Sequence, residues 1–414
     1  MGRGSMSFKQ AHPLTRVEGA SEVIVKIHKR KVQELELNLP VLRKFETLLR
    51  GKRAHIIPSL VTKVCGVCPF SHQIAASIAL EKALNVEAPP LASSVRRLIL
   101  SLEHIRSHSY NLFLMGLQDA TRLLGMDEKL LDYRLLRSGL NVIRFADRLL
   151  SLIAGGPISP GISTVGGLLN MPIVGSSIND LEREVKKVLE DMNWALNISK
   201  NLSKSKYYEM FNLERTPALI TSFGRDMDPI NGTLKVYEGT SWRELEVLEE
   251  LKDLLTRDIL TGPLARQTLI SLHYSLEEGL PIYNLLNLYM LRILEIINAL
   301  SYSMNLLRTL KDLEGLYRKT PQKKSGFGRC FVEAPRGTLI YECEVEEEVV
   351  KSIKIITPTE LNLSFLKAFS RNIVERALEK GLPVKEAVEN LKTAIRVFDP
   401  CISCATHITV VNED

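Results

Sequence analysis

Lys63-Val64-Cys65-Gly66-Val67-Cys68-Pro69-Phe70-Ser71-His72, near the start of the chain, and Asp399-Pro400-Cys401-Ile402-Ser403-Cys404-Ala405-Thr406-His407, near its end, decide how the chain folds. Each holds a C-x-x-C turn. Such a turn sets two sulfurs on one side of a tight bend, where they can chelate one ion. Cys68 and Cys401 stand 333 residues apart, far beyond the ~15–20 residues of a zinc ribbon. The pairs can therefore act together only if the two ends of the chain meet in space. Four thiolates suit zinc, an iron–sulfur cluster or nickel, all thiophilic. A closed four-cysteine zinc staple is the plainest such site. A thioredoxin-like redox pair fits less well, because neither turn lies in a βαβ pattern.

The rest of the composition narrows the class. Six cysteines in 414 residues are too few for a disulfide scaffold, and Cys330 and Cys343 stand alone. The chain is 45% hydrophobic and 25% charged, the balance of a globular protein. Its net charge is +6, but the basic residues are scattered, so no nucleic-acid footprint is expected. Leu280 to Leu307, the greasiest stretch, carries Arg292 and Glu295 within one turn. It reads as a buried helix, not a membrane span. Residues 1–5 read as a cloning remnant before a native Met6, and the cytoplasm is the expected location.

Residues 21–39 alternate apolar and polar positions around a Lys/Arg turn, the pattern of a β-hairpin. A helix through Leu48 and Leu49 follows, then the first cysteine pair and a helix with Ser71 as its N-cap. Leu91 to Leu152 shows three- and four-residue apolar spacing, which predicts long packed helices. Gly155 to Gly167 is a turn-rich loop with five glycines and two prolines. Helical periodicity returns over Ile178–Leu202 and from Arg243 to Leu316. Phe331 to Thr357 is strand-rich, and the last helices lead to Asp399. The expected fold is mainly α with small peripheral β-elements (α+β). One domain of long helices, residues 1–414, would surround a buried metal site.

Further motifs stand around the cysteines: RVEG at 16–19, RKFE at 43–46, EAPRG at 333–337 and ITPT at 356–359. A zinc staple needs none of them. Taken in order with KVCGVCPFSH and DPCISCATH, they make the whole chain resemble the large subunit of nickel–iron hydrogenases. The SCATH ending and the short length are most similar to the cytosolic multimeric group, linked to deazaflavin, NAD(P) or a heterodisulfide reductase. Lys63, Ala20 and Ser159 depart from the residues usual in that family, without touching the thiolates.

The resemblance implies that the large-subunit fold performs reversible heterolytic cleavage of H2. Cys65 and Cys401 would be terminal nickel ligands. Cys68 and Cys404 would bridge nickel to an iron that carries CO and cyanide. Such sharing leaves an open position between the metals, as catalytic sites require. Cys401 would be the first proton acceptor and Glu18 the onward relay, since a carboxyl both accepts and donates. Arg336, stiffened by Pro335, would act electrostatically and by hydrogen bonding, because a guanidinium keeps its proton; a role as the base that takes the proton from H2 is the less favoured alternative. His72, Pro335 and Asp399 would surround the iron and its diatomic ligands. Glu46, His407 and the carbonyl of Ile355 would hold magnesium, or a second iron, near the C-terminus. Residues 408–414 would be a propeptide removed by a maturation endopeptidase. Cys330 and Cys343 cannot hold a four-cysteine cluster, so an Fe–S small subunit and further electron-transfer subunits are expected. Two other classes remain: a complex I-like structural subunit, against which the four cysteines speak, and a non-catalytic zinc-stapled scaffold.

Overall fold

Alternation of apolar and polar residues places the first sheet where the sequence puts it. Ser21–His28 and Lys31–Asn38 pair antiparallel around a Lys29–Arg30 turn, with Val23, Val25 and Ile27 turned into the core. Phe8–Leu14, not foreseen from the sequence, adds a third strand. The computed structural model describes residues 8–38, 45–158, 161–170, 178–214, 217–224, 228–230, 232–239, 241–245, 257–273, 284–310 and 315–405. Ser159, His407, residues 1–5 and residues 408–414 lie outside these.

The predicted helix through Leu48 and Leu49 is Phe45–Leu49. The next long helix, Pro69–Ala83, starts two residues earlier than Ser71. Proline suits the first helical turn because its missing N–H would have no partner there. Ser71 is therefore inside the helix and not its cap. Beyond it run Pro90–Ser109, a π-helical turn Tyr110–Gly116, Asp119–Leu124 and Glu128–Ala154. These confirm the long helices read over 91–152. Ile178–Asn201 and Asn287–Leu310 complete the bundle. Pro90–Ser109 packs against both Asn287–Leu310 and Glu128–Ala154.

The helical reading from Arg243 onward needs correcting. Trp242–Glu244 and Ile259–Thr261 are strands, residues 246–256 lie outside the described residues, and Pro263–His273 is helix. Ile259, Leu260 and Thr261 are all buried, and a short apolar run carries no period that separates strand from helix. They join a four-stranded sheet, with Ile259–Thr261 parallel to Ala218–Thr221.

The strand-rich stretch forms an antiparallel sheet of Gly326–Ala334, Gly337–Glu346 and Val349–Ile356. Pro335 and Arg336 form its first hairpin turn, between the paired residues Ala334 and Gly337. This sheet lies against Pro69–Ala83, and Cys330 and Cys343 are sealed in its core. Pro358–Glu379 lies over the first sheet, and Val384–Phe398 packs against that helix. One continuous apolar core runs from Leu14 to Phe398, and the ends of the chain meet on its margin. Among the described residues no helix is long and apolar enough to cross a membrane.

Candidate metal centre

The first C-x-x-C turn ends at the N-terminus of Pro69–Ala83, with Cys68 in the cap position but making no side-chain cap. Glu103 does that work from Pro90–Ser109. Its carboxylate accepts the Phe70 and Ser71 amides at 2.8 and 2.9 Å, and the Ser71 hydroxyl as well. Burial pushes the Glu103 carboxyl up to about 7.

Val384–Phe398 delivers the second turn. Asp399 ends that helix in the left-handed region at φ 57°, a conformation Asp tolerates better than most residues. The departing turn is fastened from three sides. The Cys401 amide donates to Thr359 Oγ1 at 2.9 Å. The Ile402 amide donates to the Glu18 carbonyl at 3.0 Å. The Glu18 carboxylate accepts the Ser403 amide at 3.1 Å and its hydroxyl at 2.6 Å. Gly19, at φ +87°, is required by this closeness: a Cβ there would stand 2.7 Å from Ile402 Cβ.

Residues from opposite ends of the chain are thus brought together. Cys65 Sγ lies 3.3 Å from Cys401 Sγ, and Cys68 Sγ 3.9 Å from Cys404 Sγ. All four sulfurs are buried and within 4.8 Å of one another. Cys401 and Cys404 Sγ are close enough to join as a disulfide, and a metal would take the same two as thiolates. Of the first pair, Cys65 ionises more readily. The hydrogen bond from Cys68 pulls it down, and the Val67 and Cys68 amides also point at its sulfur.

Four sulfurs bound to metal as thiolates would need positive charge to offset them. Arg336 supplies some. It is buried, donates through Nε to the Asp399 carbonyl at 2.8 Å and through Nη2 to Asp399 Oδ1 at 3.0 Å, and reaches Ser107 Oγ at 3.3 Å. Burial alone would lower its pKa, but Asp399, Cys68 and Cys65 outweigh that and push it up. One guanidinium does not balance four thiolates, and the soft, crowded donor set fits a soft metal or metal pair.

Other predicted residues fall around the cage. His72 Nε2 stands 3.8 Å from Cys404 Sγ, while its Nδ1 bonds the buried Tyr341 hydroxyl at 2.7 Å. Glu18 is half-buried at the rim. It does not pair with Arg16, which turns instead to Asp119. Glu46 lies farther out: its Oε1 accepts the Ile355 amide at 2.7 Å, and burial raises its pKa. It is thus the N–H of Ile355 that meets Glu46. Burial, with Glu46 nearby, also pushes Glu360 up to about 7. His407 is outside the described residues.

Glu103, Ser107, Thr359, Ser403 and Tyr341 were missed from the sequence. Thr359 and Ser403 stood inside recognised motifs. A second trio, His104, His108 and Glu295, also has ligand atoms within 4.8 Å. It is no metal site, because both Glu295 oxygens are taken by Arg266 at 2.7 and 2.8 Å.

A cage of four buried cysteine sulfurs under a fixed cation defines a metalloprotein site for a soft metal. The family profile described as nickel-dependent hydrogenase matches residues 43–130 and 288–407, and the chain belongs to this family: it is the catalytic subunit of a nickel–iron hydrogenase, an oxidoreductase acting on H2. It is similar to the sulfhydrogenase 2 subunit alpha of Pyrococcus furiosus, at 26% identity over 95% of this chain and 97% of that one. It is also similar to the coenzyme F420 hydrogenase subunit alpha of Methanocaldococcus jannaschii, at 26% over 97% and 94%. In fold it matches an NAD+-reducing [NiFe]-hydrogenase in the H2-reduced state, with TM-score 0.83 and 23% identity. That match covers 98% of this chain and all of the other.

Proposed function

We propose that Cys65, Cys68, Cys401 and Cys404 hold nickel and an iron bearing CO and cyanide, and that the chain cleaves H2 heterolytically and reversibly. The single observation that carries this is the convergence of both C-x-x-C turns on one buried cluster. The metal pair would polarise H2 so that it parts into a proton and a hydride, the hydride then giving up two electrons and a second proton. The remaining chemistry falls to the side chains.

Cys401 takes the proton first, and Glu18 carries it outward. Glu18 suits this because it is half-buried and bonded to the turn that carries Cys401. Arg336 stays charged and orients the site, with Pro335 stiffening its backbone, while Asp399 and His72 fix their neighbours. Glu46, His407 and Ile355 are the candidates for a magnesium or second iron site. The half-buried carboxylate of Glu46 beside Glu360 favours a hard cation there.

The electrons leave to an Fe–S small subunit and further electron-transfer subunits. Exposed Leu169, Leu316 and Tyr317, gathered where the Leu168 amide bonds the Tyr317 carbonyl, support a docking face. We read residues 1–414 as one domain in the cytoplasm, and 408–414 as a propeptide cut by a maturation endopeptidase. The test is infrared spectroscopy of the purified complex. CO and cyanide bands that vanish in Cys68→Ser support the assignment, and a spectrum without such bands in active protein defeats it.

A further inference from the structure

Arg266 has no part in the reaction proposed above, yet its side chain is 1% exposed and fully engaged. Nε and Nη2 grip the Glu295 carboxylate, and Nη1 reaches Glu333 Oε2 at 2.8 Å. Two more bonds go to backbone: Nη1 to the Ala334 carbonyl at 3.0 Å and Nη2 to the Pro335 carbonyl at 2.9 Å. Those are the two peptide oxygens immediately before Arg336. Beyond it, the Thr338 amide donates to Thr261 Oγ1 at 2.9 Å. Gly262 packs so close that a Cβ there would meet the Arg336 carbonyl oxygen at 2.6 Å. Glu333 is itself held through Oε1 by Thr221, by the Ser222 amide and hydroxyl, and by Thr338.

We propose that Arg266 is a positioning residue for H2 turnover: with Glu295 and Glu333 it fixes the 334–335 backbone, and so the height and direction at which Arg336 stands over the sulfurs. This rests on reading Arg336 as the electrostatic group of the site. A lysine could not replace Arg266, because only the planar fork meets two carboxylates and two carbonyls at once. A buried ion triad is also a poor stabiliser compared with apolar packing, so its presence behind this one turn points to geometry and not to strength. Displacement of a catalytic group by about 1 Å can cost ~10²-fold in rate.

The test uses the purified complex carrying Arg266→Lys, Arg336→Lys, both together, or the milder Glu295→Gln. Arg266→Lys should keep nickel and iron, leave KM for H2 unchanged and lower kcat by about tenfold or more. Backbone amide exchange at residues 336–337 should quicken. In the Arg336→Lys background the same change should cost less than about twofold, since the group it positions is gone. Glu295→Gln should show a smaller loss with the same dependence on Arg336, and so serves if Arg266→Lys fails to fold. Losses that multiply across backgrounds, no loss with Arg336 intact, or loss of metal in Glu295→Gln would reduce Arg266 to scaffold. Wild-type turnover in Arg336→Lys alone would instead defeat the role of Arg336, and this inference with it.

Discussion

Replacing Glu18 by Gln should separate proton transfer from metal holding. Gln keeps the shape, the backbone bond from the Ile402 amide, and an oxygen for the Ser403 hydroxyl. It turns an amide nitrogen toward the Ser403 N–H that Glu18 Oε2 accepts at 3.1 Å. One hydrogen bond to a charged group is lost, worth about 1.5–3 kcal/mol. Against a typical folding stability of ~5–15 kcal/mol, the fold and the cysteine cage should survive. An amide cannot carry a proton, and loss of a positioned acid–base group costs roughly 10²–10⁴ in rate. H2-driven dye reduction should therefore fall by that factor while nickel content stays at the parent level. Glu18→Asp, one methylene shorter, should recover part of the rate. Turnover within about threefold of the parent, under ~1 kcal/mol of barrier, with nickel in place would refute the relay. Loss of nickel would show that Glu18 serves only to hold the Cys401 turn.

Gly19→Ala should cost ~1–2 kcal/mol from the left-handed backbone alone, and more from its approach to Ile402. Thermal unfolding and nickel analysis should both register it; an unchanged Tm and full nickel would contradict the close packing. Cys404→Ala should abolish H2 uptake, and a variant that keeps full uptake excludes Cys404 as a bridging ligand. Burial, then Arg266, pulls the His104 imidazole down to about 3, so the folded protein holds it neutral. The stability this contributes is complete above the unfolded value of ~6.5 and is lost as pH falls from there toward about 3. Urea midpoints should drop between pH 7 and pH 5, and His104→Gln should flatten that drop; parallel profiles would count against it.

Elements with a local rhythm were legible in the sequence. The hairpin over 21–39 shows its alternation, the helices over 91–152 their apolar stripe, and the two C-x-x-C turns their chelating spacing. Ile259–Thr261 was misread because three buried residues carry no period. Ser71 was taken for a cap because the true cap comes from Glu103, on another helix. The network behind the Arg336 turn was invisible for a similar reason. Arg266, Glu295 and Glu333 meet only once three separate elements have folded, and nothing in their spacing marks the meeting. Thr359 lies in a motif that was noticed, but its bond to the Cys401 amide depends on the chain closing on itself.

The most direct trial of the metal cage is elemental analysis of the purified, active complex, paired with alkylation of its cysteines. One nickel per copy of this chain is predicted, with iron in excess of nickel because the Fe–S subunits carry more of it, and Cys65, Cys68, Cys401 and Cys404 all protected until the metals are stripped. Zinc alone, or either cysteine pair open to alkylation while the enzyme still turns over, would contradict it.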